Sequence, residues 1–105
     1  MAVGRTSKAE FAKRLTEAGY EDFLVLDREA AERVLTDRRA ELLDAIRTES
    51  PPSITALAEI VERDVSAVHR DLDVLFEYSL VVYEAENGRK APRLKHEHVF
   101  VEPVL

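Results

Sequence analysis

The chain has no cysteine and only three glycines among its 105 residues. Without cysteine there can be no disulfide, no cysteine-ligated zinc and no cysteine nucleophile. No apolar run approaches the roughly 20 residues of a membrane span, and the N-terminus lacks the apolar stretch of a signal peptide. We therefore expect a soluble, cytoplasmic protein with no membrane partner.

Motifs of catalysis and of cofactor binding are also missing. The sequence has no glycine-rich phosphate loop and no HExxH zinc motif, and no serine or histidine is visibly paired with a third catalytic group. His96 and His98 lie two apart in a predicted strand and face the same side. Two ligands do not complete a metal site, so these histidines could equally be exposed or at an interface. We expect no enzyme, no metal and no cofactor.

The chain is short and acidic, but its positive charge is unevenly placed. A length of 105 residues fits one domain with a modest core, which a second copy of the chain would help to stabilise. The net charge of -6 is unusual for a nucleic-acid binder. Basic side chains nevertheless outnumber acidic ones in the segment 89–105. The basic residues of this segment are Arg89, Lys90, Arg93 and Lys95.

Three elements are predicted before residue 36. The spacing of Phe11 and Leu15 indicates an amphipathic helix over 7–18, which Gly19 ends. The apolar run 23–26 is too short for a helix and is interpreted as a strand. Alanine and glutamate in 28–35 favour one or two helical turns.

Three further helices are predicted, at 36–48, 53–62 and 66–78. Their expected N-caps are Thr36, Ser53 and Ser66. Pro51 and Pro52 separate the first helix from the second, because the residue before a proline avoids helical geometry. In the third helix, Val68, Leu72 and Leu75 recur at helical spacing and form the core face.

After Tyr78 and Ser79 the apolar period changes from helical to two, which indicates strands. Asn87-Gly88 predicts a hairpin tip, because both central residues of a type I′ turn need positive φ. The segment 94–101 is interpreted as the returning strand. Three helices followed by a hairpin predict an α+β winged helix-turn-helix, with an additional N-terminal helix and short strand.

Three segments carry a resemblance to known regulators: LTDRRAELLDAI at 35–46, LAEIVERDVSAVHRDLDVL at 57–75 and GRKAP at 88–92. Here the chain resembles winged helix regulators of the MarR and ArsR type, and it is most similar to a haloarchaeal group of predicted DNA-binding regulators. It departs from their pattern at Glu62, where glycine is usual in the turn. Few lysines and an acidic surface resemble proteins of salt-loving archaea, although GC-rich coding bias explains the composition equally well.

The resemblance implies double-stranded DNA as the partner, with helix 66–78 in the major groove and the wing, 80–101, on the backbone or minor groove. Helical geometry then selects the outward residues of that helix. Arg70 suits guanine or phosphate, or alternatively an exposed ion pair with Asp73. The predicted DNA contacts are Ser66, Ala67, His69, Arg70, Arg63, Arg39, Arg89, Lys90, Arg93 and Lys95.

A winged helix of this size reads one half-site, and two half-sites about one helical turn apart match a protein with two-fold symmetry, so we expect a homodimer. We expect residues 36–105 to form the DNA-binding domain and residues 1–35 to form a dimerisation extension. The candidate interface residues are Phe11, Leu15, Phe23 and Val25. The alternative function is a winged helix that binds other proteins in transcription or chromosome machinery, which the acidic residues of helix 66–78 favour.

Overall fold

A computed structural model describes residues 7–103. The elements in this range are α1 (Lys8–Glu17), β1 (Phe23–Leu26), α2 (Arg28–Val34), α3 (Asp37–Glu49), α4 (Ile54–Ile60), α5 (Val65–Glu77), β2 (Val81–Glu86), β3 (Arg89–Leu94) and β4 (His98–Val101). No helix among these is long and apolar enough to cross a membrane. The predicted α+β class is confirmed, because three helices are followed by a hairpin and preceded by an additional helix and strand.

The chain divides into two compact units. One unit runs from Val34 to Lys95, and the other combines the described residues up to Arg33 with those from His96 onward. The sequence pattern predicts that all residues from 36 onward belong to the winged helix. The C-terminal residues instead belong with the N-terminal elements. Residues 1–6 and 104–105 of the predicted domains lie outside the described range.

The larger unit is held together by a core that α3, α4, α5 and the hairpin share. The side chains of Leu42, Leu57 and Leu72 are completely buried. Full burial of each leucine contributes about 1.5–3 kcal/mol. Val68, Leu72 and Leu75 all face this core, as their spacing predicted. The unit is therefore winged-helix-like, with α4 and α5 joined by the short segment 61–64.

Hydroxyl groups cap the starts of α3 and α4. The Oγ1 of Thr36 accepts a hydrogen bond from the amide of Arg39 at 3.3 Å, and the Oγ of Ser53 accepts one from Ala56 at 3.0 Å. These two predicted N-caps are confirmed. The prediction for Ser66 was wrong, because α5 begins one residue earlier and its N-cap is Asp64. Aspartate and serine are both favoured at N-caps, so the sequence could not decide between Asp64 and Ser66.

Three of the helices end in the same motif, with a residue whose backbone is left-handed just after the helix. After α4, the amide of Arg63 bonds to the carbonyl of Ala58 and that of Glu62 bonds to Glu59, which is a Schellman motif. Glu62 takes its left-handed position with φ 55°. Glycine usually fills this position because a side chain there is strained. Gly19 and Ser79 occupy the corresponding positions after α1 and α5.

The hairpin has a two-residue tip at Asn87-Gly88, where both residues have positive φ, as predicted. This tip fixes the register and pairs Glu86 with Arg89 and Val81 with Leu94. The prediction that 94–101 returns from the tip was wrong. Because β2 has only six residues, its first residue, Val81, pairs with Leu94, and β3 ends there.

The smaller unit contains a parallel pair of strands that was not predicted. β1 is confirmed over Phe23–Leu26, and it pairs with β4 in the register Phe23 to His98 and Leu26 to Val101. On one face of this pair, the ring of Phe100 meets Phe11 at 6.2 Å and Tyr20 at 5.1 Å between centroids, both edge to face. Phe23 of β1 also meets Phe100, at 6.1 Å between centroids, so an aromatic cluster joins α1, β1 and β4.

Candidate nucleic-acid interface

The exposed face of α5 is the first component of the candidate interface. Burying Val68, Leu72 and Leu75 turns the opposite side of the helix to solvent. The exposed polar side chains of α5 are Ser66, His69, Arg70, Asp73 and Glu77, and Ala67 is half-buried beside them. The outward residues that helical geometry selected are thus on one surface. This surface carries one arginine and two carboxylates.

Arg70 is the only arginine within α5, and its side chain is exposed. The alternative ion pair with Asp73 is not formed. Asp73 instead lies next to His69, with 3.5 Å between Nδ1 and Oδ1. Among the described residues Arg70 makes no ion pair, so its guanidinium is available to an external anion or base edge.

Asp71 binds two of the arginines predicted to contact DNA. Its carboxylate accepts hydrogen bonds from Nε of Arg39 at 3.1 Å and from Nη2 of Arg63 at 2.8 Å. The three side chains are only 13–19% exposed. This cluster ties α5 to the start of α3 and to the turn after α4. Arg39 and Arg63 therefore have an internal partner, and their predicted DNA contact gains no support from the structure.

The tip of the hairpin is the second component of the candidate interface. Arg89 and Lys90 are exposed there, and they line a shallow groove together with Ser53, Ile54 and Thr55 from the start of α4. Hydroxyl and cationic groups side by side are the donors that bind phosphate oxygens. Lys95 is also exposed, beyond the end of β3.

Arg93, the fourth predicted wing residue, is held inside the protein. Its Nη1 donates to the carbonyl of Pro51 at 2.7 Å, and its Nη2 donates to Glu86 at 2.8 Å. The Arg93 side chain is only 20% exposed. Because both of its Nη nitrogens are hydrogen-bonded, it links the wing to the segment before α4. The sequence could not distinguish Arg93 from its neighbours, because Pro51 is 42 positions away.

An aromatic stack that the sequence did not predict joins α5 to the wing. The ring of Phe76 stacks on Tyr83 with 5.6 Å between centroids, although Phe76 is 54% exposed. Nζ of Lys90 lies 5.9 Å from the centroid of Tyr83. Burial raises the pKa of the Tyr83 hydroxyl, and the negative charge of Asp73 raises it further. The rings of Phe76 and Tyr83 and the ammonium of Lys90 therefore link α5 to the hairpin tip.

At the start of α5, the hydroxyl of Ser66 makes a hydrogen bond with a neighbouring residue. Its hydroxyl donates a hydrogen bond to the carboxylate of Asp64. That hydrogen bond is the main reason that the pKa of Asp64 lies below its ordinary value. Ser66 can still accept a hydrogen bond, but Asp64 places a negative charge beside it.

The four predicted interface residues lie in the smaller unit. Leu15 and Val25 are buried, and Phe11 and Phe23 are half-buried with ring contacts to Phe100. These residues thus build the unit itself. A groove between α1 and β1 remains open, and Lys8, Ala9, Ala12, Phe23, Leu24 and Val25 line it.

The two histidines of the C-terminal segment have separate partners in the same unit. Nδ1 of His96 lies 2.8 Å from Oδ1 of Asp22, whereas the ring of His98 packs against Tyr20 at 5.2 Å. The hydrogen bond with His96 is the main cause that lowers the pKa of Asp22. Within residues 7–103, no three metal-ligating side chains are grouped together.

Comparison with known proteins identifies one family that matches most of the chain. The family HVO_A0114 matches residues 34–101, which cover α3 to β4. No curated protein and no solved structure matches the chain significantly. The matched family is haloarchaeal, in agreement with the acidic, lysine-poor composition. Because the match spans more than half of its length, the chain belongs to the HVO_A0114 family.

Proposed function

We propose that this protein binds double-stranded DNA and regulates transcription, with α5 in the major groove and the hairpin on the phosphate backbone. The observation that carries the proposal is the joint exposure of Arg70, Arg89 and Lys90 on the α5 and hairpin surface. A winged-helix-like unit presents these elements together, and the major groove of DNA admits one α-helix.

The internal ion pairs narrow the set of proposed contacts. Arg39, Arg63 and Arg93 serve the fold through Asp71, Glu86 and the carbonyl of Pro51. The remaining proposed contacts are Ser66, Ala67, His69, Arg70, Arg89, Lys90 and Lys95. Of these, Arg89, Lys90 and Lys95 suit phosphates, which give affinity without sequence information. Arg70 and His69 suit base edges.

The proposal includes a MarR-like or ArsR-like mode of action as a homodimer. Two-fold symmetry would place two copies of α5 about one helical turn of DNA apart. The open groove between α1 and β1 supports the smaller unit as the contact between copies. Such a regulator acts on the chromosome, and its proposed location is the cytoplasm of a cell without a nucleus.

Selection of duplexes from a random pool tests the proposal. Wild type should enrich a sequence of two related half-sites and bind it more tightly than random duplex in a KCl series. Its sedimentation should show a dimer at tens of micromolar, roughly the range in which an obligate dimer persists.

A different result would support the alternative function. Failure to bind either duplex at any KCl concentration, together with saturable binding of one purified protein partner, would establish the alternative function as an interaction module. The exposed ring of Phe76 and the carboxylates of α5 favour that alternative.

A further inference from the structure

We propose that Asp73 determines specificity by accepting a hydrogen bond from the exocyclic amino group of a cytosine in the major groove. This inference rests on the proposed function. It assigns a role in recognition to a carboxylate that would otherwise only weaken binding to DNA.

The position of Asp73 on α5 supports this role. It lies three residues after Arg70 and four after His69, so the three side chains are neighbours on one exposed face. Its side chain is 67% exposed. Where Arg70 reaches the edge of one base pair, Asp73 is one turn further along the same helix and reaches a nearby pair.

Electrostatics restricts which part of DNA can accommodate Asp73. Phosphate oxygens repel a carboxylate, whereas the major-groove edge of cytosine offers the N4 amino group as a donor. Arg89 and Lys90 already supply cations for phosphates at the hairpin tip. The base edges are thus the part of the groove where this carboxylate gains a partner.

The carboxylate of Asp73 has one loose contact within the fold and is otherwise open to solvent. Nδ1 of His69 is 3.5 Å from Oδ1 on one side. The negative charge of Asp73 also raises the pKa of Tyr83, whose ring stacks on Phe76. By contrast, Asp71 is 16% exposed and binds two arginines. Replacing Asp73 therefore removes a recognition group and leaves the core intact.

The test compares Asp73→Asn with Glu77→Gln, a matched control that removes the same charge one turn later on α5. For each variant and wild type, duplexes are selected from a random pool, and affinity is measured for the wild-type site, for that site with single base pairs replaced, and for random duplex. Melting curves verify folding.

Asp73→Asn should lose the preference for a C·G pair at one position of each half-site, with about a tenfold loss of discrimination there. Glu77→Gln should keep that preference. Equal tightening of specific and random duplexes by Asp73→Asn would overturn the inference, because the carboxylate would then face phosphates. An unchanged preference would also overturn it. If wild type bound no duplex at all, the proposed function itself would fail, which is a separate and recognisable result.

Discussion

Replacing Asp71 with alanine should destabilise the protein more than any other single charge removal in the described residues. The change removes the carboxylate that Arg39 and Arg63 share, and the side chains of these arginines are only 19% and 13% exposed. Nη1 of Arg63 already lies buried with no hydrogen-bond partner among the described residues. A largely buried positive charge that loses its partner is costly, because little water can replace the carboxylate.

The magnitude follows from the burial of the cluster. Breaking a fully buried ion pair costs roughly 3–5 kcal/mol, and an exposed pair contributes about 0–1 kcal/mol. For side chains exposed by less than a fifth, and with two charge-assisted hydrogen bonds removed, we expect about 2–4 kcal/mol. Total stabilities of small domains are about 5–15 kcal/mol, so the loss should be large in relative terms.

Urea denaturation of wild type, Asp71→Ala and Asp44→Ala measures this effect. Asp44 pairs with Arg47 on an exposed helix face, where both side chains are more than 60% exposed, and its removal should cost at most about 1 kcal/mol. The reasoning is refuted if the two variants lose the same small amount of stability. A double-mutant cycle with Arg63→Ala then shows how much of the loss belongs to that pair.

Three other predictions concern stability. Glu62→Gly should raise the free energy of unfolding by about 1 kcal/mol in urea denaturation, because φ 55° is strained for a side chain, and a destabilised variant would contradict the Schellman assignment. Melting temperature should rise with added KCl, because counterions screen the self-repulsion of a chain of net charge -6, and a flat or falling curve would count against this. The pKa of Asp22 is lower in the folded chain than its ordinary value of 3.8, so its contribution is present above that value and is lost as pH falls through the folded pKa. The gap in melting temperature between wild type and Asp22→Asn should therefore shrink below about pH 4, and a gap independent of pH would refute the role of this carboxylate.

Local sequence patterns predicted the helices and the hairpin tip because their causes are local. The spacing of Val68, Leu72 and Leu75 encodes the buried face of α5, and Asn87-Gly88 encodes a turn with two positive φ angles. The exposed residues of the candidate interface followed from the same helical geometry.

The features that sequence reasoning missed depend on partners that are distant along the chain. β4 pairs with β1 across more than 70 positions, and no local pattern at 98–101 distinguishes it from a continuation of the hairpin. Arg39 reaches Asp71 across 32 positions, so it had the same appearance as an unpaired surface arginine. The position of Asp71 gave a weak indication of an internal partner, because this acidic residue directly precedes the buried Leu72.

The central claim, that α5 reads bases and the hairpin tip binds phosphates, is tested most directly by comparing Arg70→Ala with the double variant Arg89→Ala, Lys90→Ala. Affinity for the selected site and for random duplex is measured over a KCl series, with melting curves as a control for folding. The account predicts that Arg70→Ala loses about 1–3 kcal/mol of preference for the selected site. The double variant should weaken binding to both duplexes by a similar factor and flatten the salt dependence, by about 0.9 log units of affinity per log unit of salt for each phosphate that the protein no longer neutralises. Loss of preference in the double variant, with none in Arg70→Ala, would contradict base reading by α5 and phosphate binding by the hairpin tip.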